Sequence, residues 1–152
     1  MIQVGDRAPG FELLSDTGET VRLDDLRGKR VIVYFYPKAD TPGCTKQACA
    51  IQDLGPLIHD AGVTVIGISP DPTEKLARFR VKYGLDFLLL SDPDHSAAEA
   101  YGAWGEKSMV GKTYQGIIRS HAAIDEDGRI VEIKNKVKPL ETAALWKVWK
   151  ER

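Results

Sequence analysis

The two cysteines of the chain, Cys44 and Cys49, lie five positions apart in one short segment and are the strongest candidates for chemistry. Before them, Thr41 is a favourable N-cap residue, and Pro42 suits the first helical position, where its missing N–H is no loss. This register places Cys44 in the first turn of a helix, at the positive end of the helix dipole. A thiol held there ionises more easily, and the thiolate is its reactive form. The segment therefore predicts nucleophilic thiol chemistry at Cys44.

The remaining candidate ligands do not favour a metal site. Two cysteines alone cannot complete a four-ligand zinc site, and the sequence has neither C-x-x-C nor H-E-x-x-H spacing. The three histidines, His59, His95 and His121, are scattered, and a solvated or hydrogen-bonded histidine is the better interpretation of each. We therefore expect neither a metal nor a cofactor.

Length and composition favour one globular domain over residues 1–152, with 43% hydrophobic residues. The 21 basic residues nearly balance the 22 acidic ones, which gives no reason to expect nucleic acid or an anionic membrane as a partner. The first residues lack the layout of a signal peptide, and no apolar run approaches the roughly 20 residues that span a bilayer. We therefore expect a cytoplasmic protein, in which a disulfide is transient and catalytic or redox-sensing.

The elements around the cysteines alternate between strands and helices. Continuous apolar runs predict strands that are buried on both faces, as in a parallel sheet. The predicted order is a strand over 31–36, a helix from about Pro42 to Ala61 that is disturbed at Gly55-Pro56, a strand over 63–68, a helix that starts at Asp71-Pro72 and ends at Gly84, and a strand over 87–90.

The rest of the chain adds antiparallel strands to this parallel core. Turn residues predict a hairpin around Ser15–Gly18, and a second hairpin whose strands, Ile117–Ile124 and Arg129–Ile133, are joined at 125–128. Four further segments are predicted: a helical turn over 23–28, a short helix over 96–101, an irregular segment from Gly102 to Gly116, and a last helix from about Pro139 to Lys150. Leu145, Val148 and Trp149 lie on one face of the last helix. The order predicts one α/β domain.

The run Pro37-x-x-x-Thr41-x-x-Cys44 resembles the active-site motif of the peroxiredoxins, which are thiol peroxidases. A second cysteine five residues later is similar to the bacterioferritin-comigratory, or Q-type, branch. The resemblance covers nearly the whole chain, with Ala8-Pro9-x-Phe11, Tyr34-Phe35-Tyr36-Pro37, Gly67-Ile68-Ser69, Leu90-Ser91-Asp92 and Trp104-Gly105-Glu106-Lys107. It implies a thioredoxin-like fold, with a central mixed sheet flanked by helices and an N-terminal hairpin extension.

The resemblance also implies roles for individual residues. Cys44 would be the peroxidatic cysteine and Cys49 the resolving one. The Thr41 hydroxyl would hydrogen-bond the thiolate and the peroxide, and Arg119, on the strand that starts at Ile117, would be the cation beside the sulfur. Three further residues would support the site. Backbone N–H groups near Gly43 would bind the developing negative oxygen. Pro37 and Pro42 would stiffen the loop and shield Cys44 from water.

The implied reaction reduces hydrogen peroxide or an organic hydroperoxide to water or an alcohol. A sulfenic acid forms on Cys44, and Cys49 converts it to a disulfide that a thioredoxin-type dithiol reduces. The resemblance also implies that this protein is a monomer, which is more common than a dimer in this branch. Residues i and i+5 of an intact helix have Cα atoms roughly 8.5–9 Å apart. A disulfide rarely spans more than about 7 Å, so we expect the helix to unwind locally.

Other interpretations remain open at this stage. Cys49 alone could be a buried packing residue, and Arg119 an ordinary surface arginine. The chain could also be a thiol–disulfide oxidoreductase, although its cysteines are not spaced C-x-x-C. A third possibility is a non-enzymatic redox sensor or chaperone that uses a switch between Cys44 and Cys49. Peroxide consumption by the purified protein with a thiol reductant separates these classes.

Overall fold

A computed structural model describes residues 1–150 of the chain. The nine strands are β1 (Glu12–Ser15), β2 (Thr20–Arg22), β3 (Arg30–Phe35), β4 (Val63–Ser69), β5 (Leu88–Ser91), β6 (Trp104–Met109), β7 (Lys112–Ile117), β8 (Ser120–Ile124) and β9 (Ile130–Asn135). The helices are α1 (Pro42–Asp53), α2 (Gly55–Asp60), α3 (Thr73–Tyr83) and α4 (Ser96–Ala100), and 3₁₀ helices span Leu23–Leu26 and Thr142–Trp149.

Seven strands form one mixed sheet in the order β2-β1-β5-β4-β3-β8-β9. The three central strands β5, β4 and β3 run parallel, as the continuous apolar runs predict. The hairpin of β8 and β9 joins the β3 edge antiparallel, and the N-terminal hairpin joins the other edge through β1. The prediction of a thioredoxin-like α/β fold with an N-terminal hairpin extension is confirmed.

The central strands are mostly apolar because both faces of the sheet are covered. In β3, Ile32 and Tyr34 belong to the apolar cluster on the face that carries α1, whereas Val31 and Val33 belong to the cluster on the opposite face. Successive residues of a strand point to opposite faces, so two covered faces favour apolar side chains at most positions. β3 is therefore buried on both faces up to the loop that leads into α1.

The predicted long helix is divided at the expected place. α1 ends at Asp53, and α2 begins at Gly55 with Pro56 in its first turn. Gly84 ends α3 in the left-handed conformation, as expected of a glycine cap. Asp71, however, does not cap α3, whose N-cap is Pro72. The carboxylate of Asp71 is instead used elsewhere, in the loop before α1.

The segment 102–116, expected to be irregular, forms a two-stranded antiparallel hairpin of β6 and β7. Most of its residues are exposed, so no buried apolar face marks its strands in the sequence. Its turn places Val110 and Gly111 at positive φ, 51° and 76°. A β-branched residue is a rare choice for that conformation, so the turn carries no recognisable signal.

The last predicted helix is a 3₁₀ helix over Thr142–Trp149 rather than a longer α-helix. Leu145 and Trp149 are buried as expected, and Val148 is half-buried. Apolar residues three and four positions apart fit either helix type, so the pattern predicts a helix but not its period. Among residues 1–150, no helix has the length and apolar character needed to cross a membrane.

Gly67 offers a test of the central packing. A Cβ atom there would lie 2.9 Å from the ring of Tyr34, which is fully buried. We expect Gly67→Ala to lower the free energy of unfolding by about 1–3 kcal/mol, because a buried ring must shift. The matched control is Gly55→Ala, where no atom lies within 4 Å of the added Cβ and where alanine favours a helix. Urea unfolding of both variants measures the difference, and equal stability would contradict the packing argument.

Candidate active site

Cys44 is the third residue of α1, and β3 and the loop after it bring α1 to this position. The N-cap is Thr41 and the first helical residue is Pro42, so the helix begins where the sequence predicts. The Cys44 side chain is only 2% exposed, although it sits beside the free N–H groups of the first turn. The sulfur is therefore shielded from water and faces the positive end of the helix dipole.

Arg119 contacts the Cys44 sulfur, although it does not lie on a strand as expected. The predicted strand Ile117–Ile124 is interrupted at residues 118 and 119, between the end of β7 and the start of β8. Arg119 Nη2 donates a hydrogen bond to Cys44 Sγ at 3.3 Å. The break in the strand turns this side chain toward α1 while its carbonyl still accepts from the Val137 N–H, at 2.9 Å. A guanidinium that is always charged is therefore hydrogen-bonded to the Cys44 sulfur.

Gly43 makes this contact sterically possible. A Cβ atom at Gly43 would lie 3.1 Å from Arg119 Nη2 and 3.6 Å from Pro139 Cγ. The first of these distances is tighter than ordinary van der Waals contact, so a side chain at this position would push the guanidinium away. Glycine before the cysteine therefore lets Arg119 approach without being displaced.

Thr41 makes a different hydrogen bond from the one that the resemblance implies. Its hydroxyl donates to the carbonyl oxygen of Lys38 at 2.7 Å and makes no side-chain cap bond to the helix. A hydroxyl has one proton, so donation to a peroxide would require the Thr41 side chain to release Lys38. In this structure Thr41 closes the loop before α1.

Two aspartates anchor the loop that precedes α1. The buried carboxylate of Asp71 accepts the Ala39 N–H at 2.7 Å and the Ser69 hydroxyl at 2.9 Å. Asp40, at a φ of 61°, forms a salt bridge of 2.8 Å with Lys82 on α3. Hydrogen bonds from Lys82 and then Tyr83 hold the pKa of Asp40 below its ordinary value. The loop is therefore tied to β4 and α3 on the side away from Arg119.

A chain of buried polar groups behind Arg119 was not predicted. Arg119 Nη1 donates to Gln47 Oε1, and Gln47 Nε2 donates to Thr142 Oγ1 at 2.9 Å. The Thr142 hydroxyl also lies 2.9 Å from His121 Nδ1. Gln47, Thr142 and His121 are all buried. The sequence feature that could have indicated this chain of groups is Gln47, a polar residue three positions after Cys44 and therefore on the same face of the helix.

A pocket of about 390 Å³ opens beside Arg119. Burial, and then the nearby charge of Arg119, lowers the pKa of Lys107 in its wall. Cys44 does not line the pocket, so Arg119 is the group that connects the pocket to the sulfur. Pro37 lines it, whereas Pro42 is exposed on the surface. The pocket is lined by Pro37, Glu106, Lys107, Ser108, Ile118, Arg119 and Lys136.

Cys49 lies on α1 with Cys44, half-buried, and both thiols are free. The helix is continuous from Pro42 to Asp53 and so contains both cysteines. This arrangement matches the intact helix expected of the reduced protein. Within residues 1–150, no group of three or more His, Cys, Asp or Glu side chains could hold a metal ion.

Comparison with known proteins identifies the class to which this fold and site belong. Residues 4–133 match the model of the AhpC/TSA family. Peroxiredoxin Bcp of Escherichia coli is 54% identical over 132 residues, which cover 87% of this chain and 85% of that protein. A peroxiredoxin of Mycobacterium tuberculosis is 58% identical over 134 residues, which cover 88% of this chain and 85% of the relative.

Solved structures show the same likeness. The bacterioferritin comigratory protein of Xanthomonas campestris, described for its alkyl peroxide reduction activity, has a TM-score of 0.87 at 32% identity over 93% of this chain and 90% of its own. Peroxidoxin BcpB of Mycobacterium tuberculosis has a TM-score of 0.87 at 30% identity, over 99% of this chain and 98% of its own. The chain belongs to the AhpC/TSA family. The predictions of a Bcp-type peroxiredoxin and of a thiol-dependent peroxidase are confirmed.

His121 makes the stability of the fold depend on pH. Burial lowers its pKa to about 4, against the opposing effect of Glu141. Between pH 6.5 and 4 the unfolded chain binds the proton that the folded chain excludes, so stability is complete above 6.5 and falls as the pH drops. We expect the free energy of unfolding to fall by up to about 1.4 kcal/mol per pH unit in this window.

Denaturant unfolding at several pH values tests this expectation. His121→Asn should flatten the dependence in that window, because asparagine does not titrate. The matched control is His59→Asn, since the His59 side chain is 92% exposed and its replacement should leave the profile unchanged. A wild-type profile that is level from pH 6.5 to 4 would show that His121 titrates normally.

Proposed function

We propose that this protein reduces hydroperoxides with Cys44 as the attacking nucleophile and Arg119 as the cation that stabilises its thiolate. The observation that carries the proposal is the 3.3 Å contact between Arg119 Nη2 and Cys44 Sγ at the buried start of α1. A guanidinium stays charged at any physiological pH, so it favours the thiolate over the thiol. The open pocket beside Arg119 gives a small hydroperoxide a route to this charge.

The first step transfers one oxygen atom to sulfur. The Cys44 thiolate attacks one oxygen of ROOH, the O–O bond breaks, and the departing RO⁻ takes up a proton to leave as ROH. Cys44 remains as a sulfenic acid, so the sulfur is oxidised by two electrons and the peroxide is reduced by two. In this proposal, Arg119 and the N–H groups near Gly43 balance the negative charge that develops on the departing oxygen.

The second step would use Cys49. Its thiolate attacks the Cys44 sulfur, the S–O bond breaks, the departing hydroxide takes up a proton to leave as water, and a disulfide between Cys44 and Cys49 results. Both residues lie on one continuous helix, in which Cα atoms five positions apart are separated by more than a disulfide spans. The proposed disulfide therefore requires α1 to unwind around residues 44–49. A dithiol protein of the thioredoxin type would then reduce it.

The proposed partners follow from this cycle. The substrates are hydrogen peroxide and organic hydroperoxides, and the family supplies the expectation of a thioredoxin-type reductant. Two free cysteines that must return to the thiol form fit a reducing compartment such as the cytoplasm. A monomeric protein of one domain remains a prediction, as does its cytoplasmic location.

Stopped-flow mixing with peroxide tests the roles of the two cysteines. We expect Cys44→Ser to abolish the reaction, because a serine hydroxyl does not ionise at neutral pH. Cys49→Ser should keep one rapid turnover and then accumulate sulfenic or sulfinic acid on Cys44, because the resolving thiol is absent. Mass spectrometry identifies the oxidation state of each cysteine. Continued turnover with a dithiol reductant and no intramolecular disulfide in the wild type would rule out Cys49 as the resolving residue.

Arg119 can be tested separately from the cysteines. Arg119→Met removes the charge at similar length, and we expect the rate constant for Cys44 oxidation to fall by about 10²-fold, the usual effect of losing one charge-stabilising donor. Arg119→Lys should retain part of the rate, since it keeps the charge but cannot bond both Cys44 and Gln47 through a planar fork. The control is Arg22→Met, which removes the charge of an arginine whose side chain is 59% exposed and which lies far from Arg119 in the sequence. An unchanged rate in Arg119→Met would refute the proposed role.

A further inference from the structure

We infer that Thr142 is a positioning residue that aligns Arg119 on Cys44 through the side chain of Gln47. This inference rests on the proposed function, because it assigns Thr142 to the same reactive sulfur. Thr142 opens the 3₁₀ helix near the end of the chain and lies 95 positions from Gln47 in sequence. It touches neither Cys44 nor the pocket, so it can act only through the groups between them.

The donors and acceptors of this chain of groups fix the orientation of the Gln47 amide and fit donation from Thr142 to His121. A guanidinium has only donors, so the oxygen of the Gln47 amide must face Arg119 and its NH₂ group must face away. That NH₂ group donates to Thr142 Oγ1. In the neutral imidazole tautomer whose Nδ1 is free, His121 accepts the single hydroxyl proton of Thr142. Each group fixes the orientation of the next.

Burial makes this arrangement strict. Gln47 is 0% exposed and Thr142 is 1% exposed, so no solvent water replaces a partner that is removed. A buried amide NH₂ without an acceptor is costly, and the Gln47 amide can relieve that cost only by rotating. Rotation would present its NH₂ group to Arg119, donor against donor. The guanidinium would then lose the acceptor that holds its Nη1, and with it the alignment of Nη2 on Cys44.

Two charged side chains lie near His121. Lys134 lies opposite His121 on β9, and Glu141 lies just before the 3₁₀ helix. These two side chains form a salt bridge with each other, so each already has a partner of opposite charge. The hydrogen bond from Gln47 to Thr142 links α1 to the start of the 3₁₀ helix.

The test compares two substitutions at Thr142. Thr142→Val keeps the shape and removes the hydroxyl, and we expect the rate constant for Cys44 oxidation by hydrogen peroxide to fall about fivefold, the equivalent of the roughly 1 kcal/mol that one hydrogen bond contributes. Iodoacetamide alkylation of Cys44 should also move toward higher pH, since less of the sulfur is ionised at a given pH. Thr142→Ser keeps the hydroxyl, so its oxidation rate constant and its alkylation profile should both stay close to those of the wild type.

A packing control separates positioning from stability. Leu145→Val shortens a buried side chain of the same 3₁₀ helix and should lower the thermal midpoint without changing the rate or the alkylation profile. If Thr142→Val does not fold, His121→Leu removes the terminal acceptor and should reproduce the loss, whereas His121→Asn offers an oxygen in place of Nδ1 and should not.

Two failures of these experiments have different meanings. If wild-type Cys44 reacts with peroxide no faster than an ordinary thiol, the proposed function is wrong. If the wild type reacts rapidly and Thr142→Val, or His121→Leu in its place, matches it in rate and alkylation profile, the function stands and Thr142 has no positioning role.

Discussion

The contact between the Arg119 guanidinium and the Cys44 sulfur is the constraint that the rest of the site must satisfy. A cation in a poorly hydrated place is costly unless its donors find acceptors. Arg119 meets this demand with the sulfur on one nitrogen and the Gln47 carbonyl on another. Gly43 leaves room for this contact, and Arg119 lies in the break between β7 and β8.

The central part of the fold was predictable because its cause is local. A strand covered on both faces is apolar over most of its length, and β3 and β4 show this in the sequence itself. The start of α1 was equally visible, since the N-cap and the proline after it act within one turn. The position of Cys44 follows from these two elements alone. Residue-level physics therefore pointed to the candidate sulfur, and the family resemblance supplied the peroxide chemistry.

The rest of the site depends on contacts that no local pattern records. The β6–β7 hairpin has little buried surface of its own, so its strands lack the alternation that burial imposes. Arg119 lies in a strand break that the apolar pattern of residues 117–124 conceals. Thr142 and His121 reach Gln47 only after the chain has folded. Their hydroxyl and imidazole groups looked ordinary in the sequence because their role depends on partners far along the chain.

The same helix must serve two opposed requirements if Cys44 and Cys49 pair as proposed. Reactivity favours an intact first turn, which holds Cys44 against Arg119 and buries Gln47 and Ala48. Disulfide formation requires that turn to open, and Gln47 lies between the two cysteines in the chain. Remodelling of residues 44–49 would therefore break the hydrogen bonds of Gln47 to Arg119 and to Thr142. Under this proposal the buried polar chain would stabilise the reduced form and would be lost in the oxidised one, because it is anchored on the segment that would have to move.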